Sequence, residues 1–252
     1  MYVPLWPTRS EEMYVKTRAV VIHHFKYDDR KTIVELFTEE SGMVSCLVAL
    51  SRSRSTAVPR QLFMPLTVIE ADIVGKEGAQ LMRIREARQA LPLTSIPFDP
   101  YKTPVALFLA EFLRYALRRE QHDEPLFLYI YNGIAELDAC RRGAANFHLV
   151  FLWQLARYLG VSPDMQSRGR LFDLRGGVFT DAVPPHGDYL DGTAAQAMRS
   201  LSRMTYANMH LFRMNRQQRN SVLDTIVAYY RLHLPALPEL KSLDVLRTLF
   251  EP

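Results

Sequence analysis

Thr38-Glu39-Glu40-Ser41-Gly42-Met43-Val44-Ser45-Cys46-Leu47-Val48-Ala49 runs directly into Leu50-Ser51-Arg52-Ser53-Arg54-Ser55-Thr56. The first part reads as the end of a strand, a tight turn at Ser41-Gly42 and a second strand. Gly42 supplies the positive φ that a short hairpin turn needs. From Ser51 to Thr56 small residues accompany Arg52 and Arg54, and no large apolar side chain occurs. Such a segment has little to bury, so it reads as a basic loop presented by a β scaffold. A loop of that kind suits a phosphate backbone better than a catalytic pocket.

The flanking sequence extends the β pattern from Tyr14 to about Glu86. Thr17, Ala19, Val21, His23 and Phe25 alternate with Arg18, Val20, Ile22 and His24, a strand with both faces partly apolar. Ile33–Thr38 and Met43–Ala49 form the hairpin, Leu62–Ile73 reads as a further strand interrupted by Pro65, and Leu81–Arg85 alternates again. Five short strands with Gly and polar turns predict a small barrel of the OB type over residues 14–90, after a leader at 1–13. Pro92, Pro97 and Pro100 mark the boundary. Residues 91–252 read as a mainly helical domain, giving an α+β chain overall.

The predicted helices have clear punctuation. Thr103-Pro104 opens the first, with Val105, Phe108, Leu109 and Phe112 on one stripe. Asp123-Glu124-Pro125 opens the second. Ala144–Leu159 carries Phe147, Phe151 and Leu155 at fourfold spacing before Gly160. An irregular insert covers about 161–192. Helices over Ala194–Met204 and Arg216–Leu234 follow, then an amphipathic tail docking by Leu243, Leu246 and Leu249.

Composition narrows the function classes. The 252 residues are 48% hydrophobic, enough for a sizeable core, and carry a net charge of +4 that permits a polyanionic partner. Two distant cysteines, Cys46 and Cys140, argue against a disulfide framework or a cysteine zinc site and for a reducing, cytoplasmic setting. No apolar run reaches membrane-spanning length, about 18–20 residues. No P-loop, G-x-G-x-x-G, H-E-x-x-H or G-x-S-x-G motif occurs. His23-His24 with Asp28-Asp29 invites a metal reading. Adjacent strand residues point to opposite faces, which argues against it.

The cations define the candidate surfaces. Arg52, Arg54 and Arg60 lie in Met43–Ile69, which contains no Asp or Glu, and are read as phosphate contacts. Lys16, Arg18, Arg83 and Arg85 extend the patch along exposed strand faces, with Asp28, Asp29 and Glu86 as acidic neighbours. Beyond Gly192, the stretch to Leu223 is also free of acids; Arg199 and Arg203, four apart, are expected on one helix face as a second DNA or acidic-peptide surface. For each group the plain alternative is a solvated surface.

These residues resemble the RecO family of bacterial recombination mediators. The resemblance rests on Phe37-Thr38-Glu39-Glu40-Ser41-Gly42 with Val48-Ala49, on Arg52 to Thr56, and on Gln61-Leu62-Phe63-Met64-Pro65-Leu66. In the second half it rests on Phe151-Leu152-Trp153-Gln154-Leu155, Leu159-Gly160 and Leu240-Lys241-Ser242. It implies an OB barrel plus helical domain without a catalytic centre or cofactor. It also implies binding and annealing of single- and double-stranded DNA, contact with RecR and with the C-terminal tail of single-stranded-DNA-binding protein, and help in loading RecA, in a cytoplasmic, nucleoid-associated setting. A receptor for an acidic, apolar tail needs an apolar groove with Arg at its rim. Phe112, Arg114, Arg118, Trp153 and Arg157 are the candidates. Many family members carry a four-cysteine zinc site after the Leu-Gly; Val161–Leu190 here has no cysteine. The rival readings are a protein-interaction module that binds no DNA and a metal-dependent hydrolase using His23, Asp28, His186 and Asp188.

Overall fold

The computed structural model describes residues 12–49, 60–76, 79, 81–118 and 120–248. The chain divides into two compact units, residues 1–92 with 120–122, and residues 93–119 with 123–252.

In the first unit the strands are β1 (Glu12–Lys26), β2 (Lys31–Thr38), β3 (Gly42–Ala49), β4 (Val68–Lys76) and β5 (Met82–Leu91). They hydrogen-bond in the order β1-β2-β3-β5-β4, and β4 returns to β1 to close the barrel. The long β1 makes this possible: Glu12–Val20 pairs with β4, and Ala19–Lys26 pairs with β2. The sheet is mixed. β3 and β5 run parallel and meet only at Cys46↔Met82 and Leu47↔Arg83. Alternate residues fill the interior, among them Ala19, Val21, Val34, Leu36, Cys46 and Ile69, each at 0% exposure. Full burial of the Val, Leu and Ile side chains among them is worth about 1.5–3 kcal/mol each.

The β2–β3 turn is latched locally. Thr38 Oγ1 donates to Gly42 O at 2.9 Å and accepts from Ser41 N at 3.0 Å. Residues 120–122 strap this turn: Met43 N donates to Glu120 O, and His122 Nδ1 donates to Glu39 O at 2.6 Å.

The second unit contains α1 (Lys102–Ala116), α2 (Glu124–Ala139), α3 (Ala144–Tyr158), α4 (Gly192–Leu201), α5 (Arg216–His233) and α6 (Ser242–Thr248). The Asp123 carboxylate caps α2 by accepting Leu126 N, and Asn215 with Gln218 forms a capping box on α5. Phenylalanines at helical spacing make the core, and Tyr230 crosses it. Its ring meets Phe112 edge-on at 4.8 Å and its hydroxyl donates to Leu152 O at 2.6 Å. Glu111 holds the α6 start by accepting the backbone N–H groups of Lys241 and Ser242.

The expected fold class, an OB-type barrel followed by helices, needs correction in several places. The second unit is not helices alone: β6 (Leu171–Asp173), β7 (Val178–Thr180) and β8 (Tyr189–Leu190) form a three-stranded sheet, order β7-β6-β8, where an irregular insert was expected. Residues 62–67 are not strand. Arg60–Phe63 is a 3-10 helix, followed by a turn with Leu66 at φ +62°. Thr103 does not cap α1, which starts at Lys102; its hydroxyl donates instead to Ile96 O and Asp99 O. Strand β1 begins at Glu12, within the expected leader; residues 1–11 lie outside the described residues, as does Leu249.

The simple alternation expected along β1 also breaks. The register shifts between Val21 and His23, so Val21 faces Leu36 while His23 faces Glu35. Ile22 is the extra residue of a β-bulge, and the parity of the strand reverses after it. Ala19 and Val21 therefore point into the core, whereas His23 and Phe25 share the outer face with their partners Glu35 and Ile33.

Candidate nucleic-acid interface

The outer surface of the first unit has two regions of different charge character. Across β1, β4 and β5 the register sets Lys16 opposite Asp72, and Arg18 opposite Glu70, which in turn faces Arg88. The ions pair accordingly. Lys16 Nζ lies 3.2 Å from Glu70 Oε1, and Arg88 Nη2 lies 2.5 Å from Glu70 Oε2. Arg18 grips Glu39 with two hydrogen bonds, Nε to Oε2 at 2.8 Å and Nη2 to Oε1. Hydrogen bonds from Arg18 hold the Glu39 carboxyl below its ordinary range, and those from Arg88 and Lys16 do the same for Glu70. Tyr14 donates to Asp72 Oδ2 at 2.5 Å, which raises the phenol's pKa. Lys16 and Arg18, both expected to meet DNA, are thus engaged by acids.

Arg83 and Arg85 differ. Both are exposed on β5, and neither takes part in an ion pair among the described residues. Arg83 faces Leu47 of β3 across the parallel seam. β3 ends at Ala49, and residues 50–59, which include Arg52 and Arg54, lie outside the described residues. Arg60 opens the 3-10 helix Arg60–Phe63; its side chain also lies outside the description. Phe63, 2% exposed, anchors the chain where it re-enters the core.

A row of side chains that sequence patterning does not disclose crosses this second region. Register places Phe25 opposite Ile33, Ile33 opposite Leu47, and Leu47 opposite Arg83. Phe25 is 40% exposed, and Ile33 and Leu47 are half-buried. In the neighbouring row Lys31, exposed, faces Ala49. The row depends on the bulge, which no regular period reveals.

The remaining expected contacts lie in the second unit. Arg199 is structural: its guanidinium carbon sits 3.5 Å from the Phe179 ring centroid, and Nη2 donates to Gly169 O at 3.0 Å. Arg203 does not share its helix face, because α4 stops at Leu201; Arg203 is exposed in the following turn. Phe112 is 0% exposed, so it is a core residue and not a groove contact. Arg114 is half-buried with its guanidinium 5.9 Å from the Tyr115 ring centroid, and Arg118 is exposed just beyond α1. Trp153 is half-buried and Arg157 exposed, one turn apart on α3. Two clefts of 750 and 540 Å³ open on this unit. Arg216, Asn220 and Asp224 help line the first, and Arg170, Asp181 and Arg199 the second. Neither is lined by Phe112, Trp153 or Arg157.

Metal and thiol chemistry find little support in these residues. Among the described residues no group of three or more His, Cys, Asp or Glu is arranged to hold a metal ion. His23 and Asp28 belong to the first unit, His186 and Asp188 to the second. His186 Nε2 lies 3.5 Å from Asp173 Oδ1, an oxygen already accepting the backbone N–H groups of Arg175 and Gly176, and Asp188 pairs with Arg175. The segment 161–190 contains no cysteine, which excludes a four-cysteine zinc site there. Phe172 and Phe179, 4.9 Å apart, pack the small sheet. Burial pushes the Cys46 thiol up to about 12, and burial raises Cys140 as well. No described helix is long and apolar enough to cross a membrane.

The family models for the N-terminal and C-terminal parts of recombination protein O match residues 13–92 and 97–244. The chain belongs to the RecO family. It is similar to the DNA repair protein RecO of Bacteroides fragilis, 46% identical over 242 residues that cover 95% of this chain and all of the relative. The corresponding protein of Phocaeicola vulgatus is 45% identical over 240 residues, covering 94% of this chain and all of the relative. That of Porphyromonas gingivalis is 39% identical over 245 residues, covering 95% and all of the relative. The RecO match spans both units, so the strand surface and the helical unit belong to one family architecture.

Proposed function

We propose that this chain is a DNA repair and recombination mediator without a catalytic centre. It captures single- and double-stranded DNA through cations of the first unit and anneals complementary strands. Through the second unit it contacts the tail of single-stranded-DNA-binding protein, with Arg114, Arg118, Trp153 and Arg157 as the remaining candidate contacts. With RecR it helps load RecA onto coated DNA, in the cytoplasm and at the nucleoid. RecO-family membership supports the mediator role. The observation that carries the DNA contact is the pair Arg83 and Arg85, exposed and without an ion pair among the described residues, on the strand that adjoins β3, whose end leads into the Arg52/Arg54 segment.

The test is fluorescence anisotropy with a labelled oligonucleotide over a salt series. Removing one cation that neutralises a phosphate reduces the log–log salt slope by about one. Arg83→Ala/Arg85→Ala and Arg52→Ala/Arg54→Ala should each flatten the slope by about one to two, on the order of the charges removed. Lys16→Ala should change it little, because Glu70 already engages Lys16. Absence of wild-type binding at low salt would instead favour an interaction module that binds no nucleic acid.

A further inference from the structure

The 750 Å³ cleft of the second unit begins where α6 stops. Leu174, just after β6, and Leu190 of β8 form one wall; Arg216, Asn220, Asp224 and Ala228 of α5 stand on the other. The sheet wall is only partly covered. Phe172 is buried, with its ring centroid 6.4 Å from that of Tyr229 on α5. Its register partner Leu190, on the edge strand β8, is half-buried. On α5, Asn220, Asp224 and Ala228 stand at fourfold spacing and share a face about 12 Å long. A volume of this size suits a compact ligand or a few side chains.

The end of α6 is pinned at the rim of this cleft. The Arg247 carbonyl oxygen accepts from Arg216 Nε at 2.7 Å and from Asn220 Nδ2 at 3.2 Å, and Arg247 Nη2 lies 2.5 Å from Asp224 Oδ1. All three partners line the cleft, and Arg247 offsets the charge of its one lining acid, Asp224. Thr248 follows, then Leu249-Phe250-Glu251-Pro252, which lie outside the described residues. Two apolar residues thus come directly after a backbone held beside an apolar wall. Four residues of extended chain reach about 13 Å, the length of the α5 face. A segment tethered so closely has an effective concentration of about millimolar. A free segment of similar composition would have to exceed that, which favours the chain's own residues over a partner's as the occupant.

We propose that Leu249-Phe250-Glu251-Pro252 folds back into this cleft, with Phe250 seated between Leu190 and Ala228, and ties the edge strand β8 to α5. The contact closes the cleft to other apolar segments. It also holds the small sheet, whose strands have only three, three and two residues, against the helix.

The full-length chain carrying Ala228→Cys and Glu251→Cys is oxidised at low protein concentration, and its disulfides are mapped by peptide mass. Joining needs Cα atoms within about 7 Å of each other. The native Cys140, which does not line the cleft, is the internal control, and thermal melts confirm folding. Positions 228 and 251 should join within one chain. Adding Phe250→Asp should slow the joining about tenfold or more, on the order of what burying one Phe side chain is worth, whereas Phe250→Leu should preserve it. Without the added cysteines, Phe250→Asp should speed amide exchange at Tyr189 and Leu190. Position 251 joining Cys140 as readily as position 228 overturns the proposal, as does joining that Phe250→Asp leaves equally fast. A disulfide formed only between two chains overturns it and assigns the cleft to a second copy. No joining at all, or exchange in β8 unmoved by Phe250→Asp, also overturns it and leaves the cleft to a partner's segment.

Discussion

Gly42→Ala should destabilise the first unit by more than its backbone angle alone accounts for. Gly42 has φ +68°, and a Cβ there would lie 2.5 Å from Gln121 C, Gln121 O and Glu120 O. Gly160 provides the comparison, with φ +69° and nothing among the described residues within 4 Å of where a Cβ would stand. The left-handed conformation costs an ordinary L-residue about 1–2 kcal/mol, and that is all Gly160→Ala should lose. At Gly42 the strap must also shift, weakening Met43 N–H to Glu120 O at 3.2 Å and His122 Nδ1–H to Glu39 O at 2.6 Å. Each such hydrogen bond is worth about 0.5–1.5 kcal/mol net, so Gly42→Ala should cost about 2–5 kcal/mol. Asparagine separates the two causes, since it tolerates positive φ but carries a Cβ. Gly160→Asn should recover most of the loss and Gly42→Asn should not. Urea unfolding gives the energies. Hydrogen exchange in β2, β3 and α3 assigns them to a unit, because a chain of two units need not unfold in one step. A Gly42→Asn variant as stable as wild type, or a Gly42→Ala variant no worse than Gly160→Ala, would refute the strap as the constraint.

Two further outcomes concern the second unit. Arg199→Ala should lower its stability by about 1 kcal/mol, because the half-buried cation over Phe179 is removed, and leave oligonucleotide affinity unchanged; thermal melts beside anisotropy check both halves. His148 is 2% exposed on α3, with an Nδ1 that finds no hydrogen-bond partner. Burial, with a smaller contribution from the Arg219 charge, pushes its pKa down to about 3. The folded state therefore keeps it neutral, while the unfolded chain takes up a proton below pH about 6.5. Stability should fall as pH drops from about 6.5 toward 3, by about 1.4 kcal/mol per pH unit, or about 2 kcal/mol at pH 5. Urea midpoints at pH 7 and pH 5 for wild type and His148→Leu check this; equal pH sensitivity in the two would count against it.

The helices are more legible in the sequence than the strands, for reasons visible in single residues. Fourfold spacing of Phe147, Phe151 and Leu155 and the caps at Asp123 and Asn215 are local signals, and the structure uses them. In β1, by contrast, Val20 and Ile22 are as buried as Ala19 and Val21, so the apolar pattern has no contrast from which to locate a bulge. Leu62, Phe63 and Leu66 are apolar because they plug the core, and Leu66 adopts a positive φ that no strand pattern anticipates. The small sheet has strands of three and two residues, too short to show a period. Phe112 has the spacing of an amphipathic stripe, yet spacing alone does not say that Tyr230 covers it. Two phrases that carried the family resemblance serve architecture. Thr38 to Gly42 forms a latched turn, and Lys241-Ser242 docks on Glu111.

Ion pairing discriminates among the cations where their density in sequence does not. Lys16, Arg18 and Arg88 each lie against a carboxylate, so a phosphate approaching β1, β4 and β5 meets alternating charge whose sum fades within a Debye length, about 8 Å at physiological salt. Arg83 stands on the same strand as Arg88 but faces Leu47 and Val74 instead of an acid, and takes part in no ion pair among the described residues. Register decides this difference: the parallel β3–β5 seam sets Arg83 beside an apolar row, while the antiparallel β4–β5 ladder sets Arg88 beside Glu70. A single strand therefore contributes one cation to a stabilised charge lattice and another to an open surface. The open surface also holds the exposed ring of Phe25.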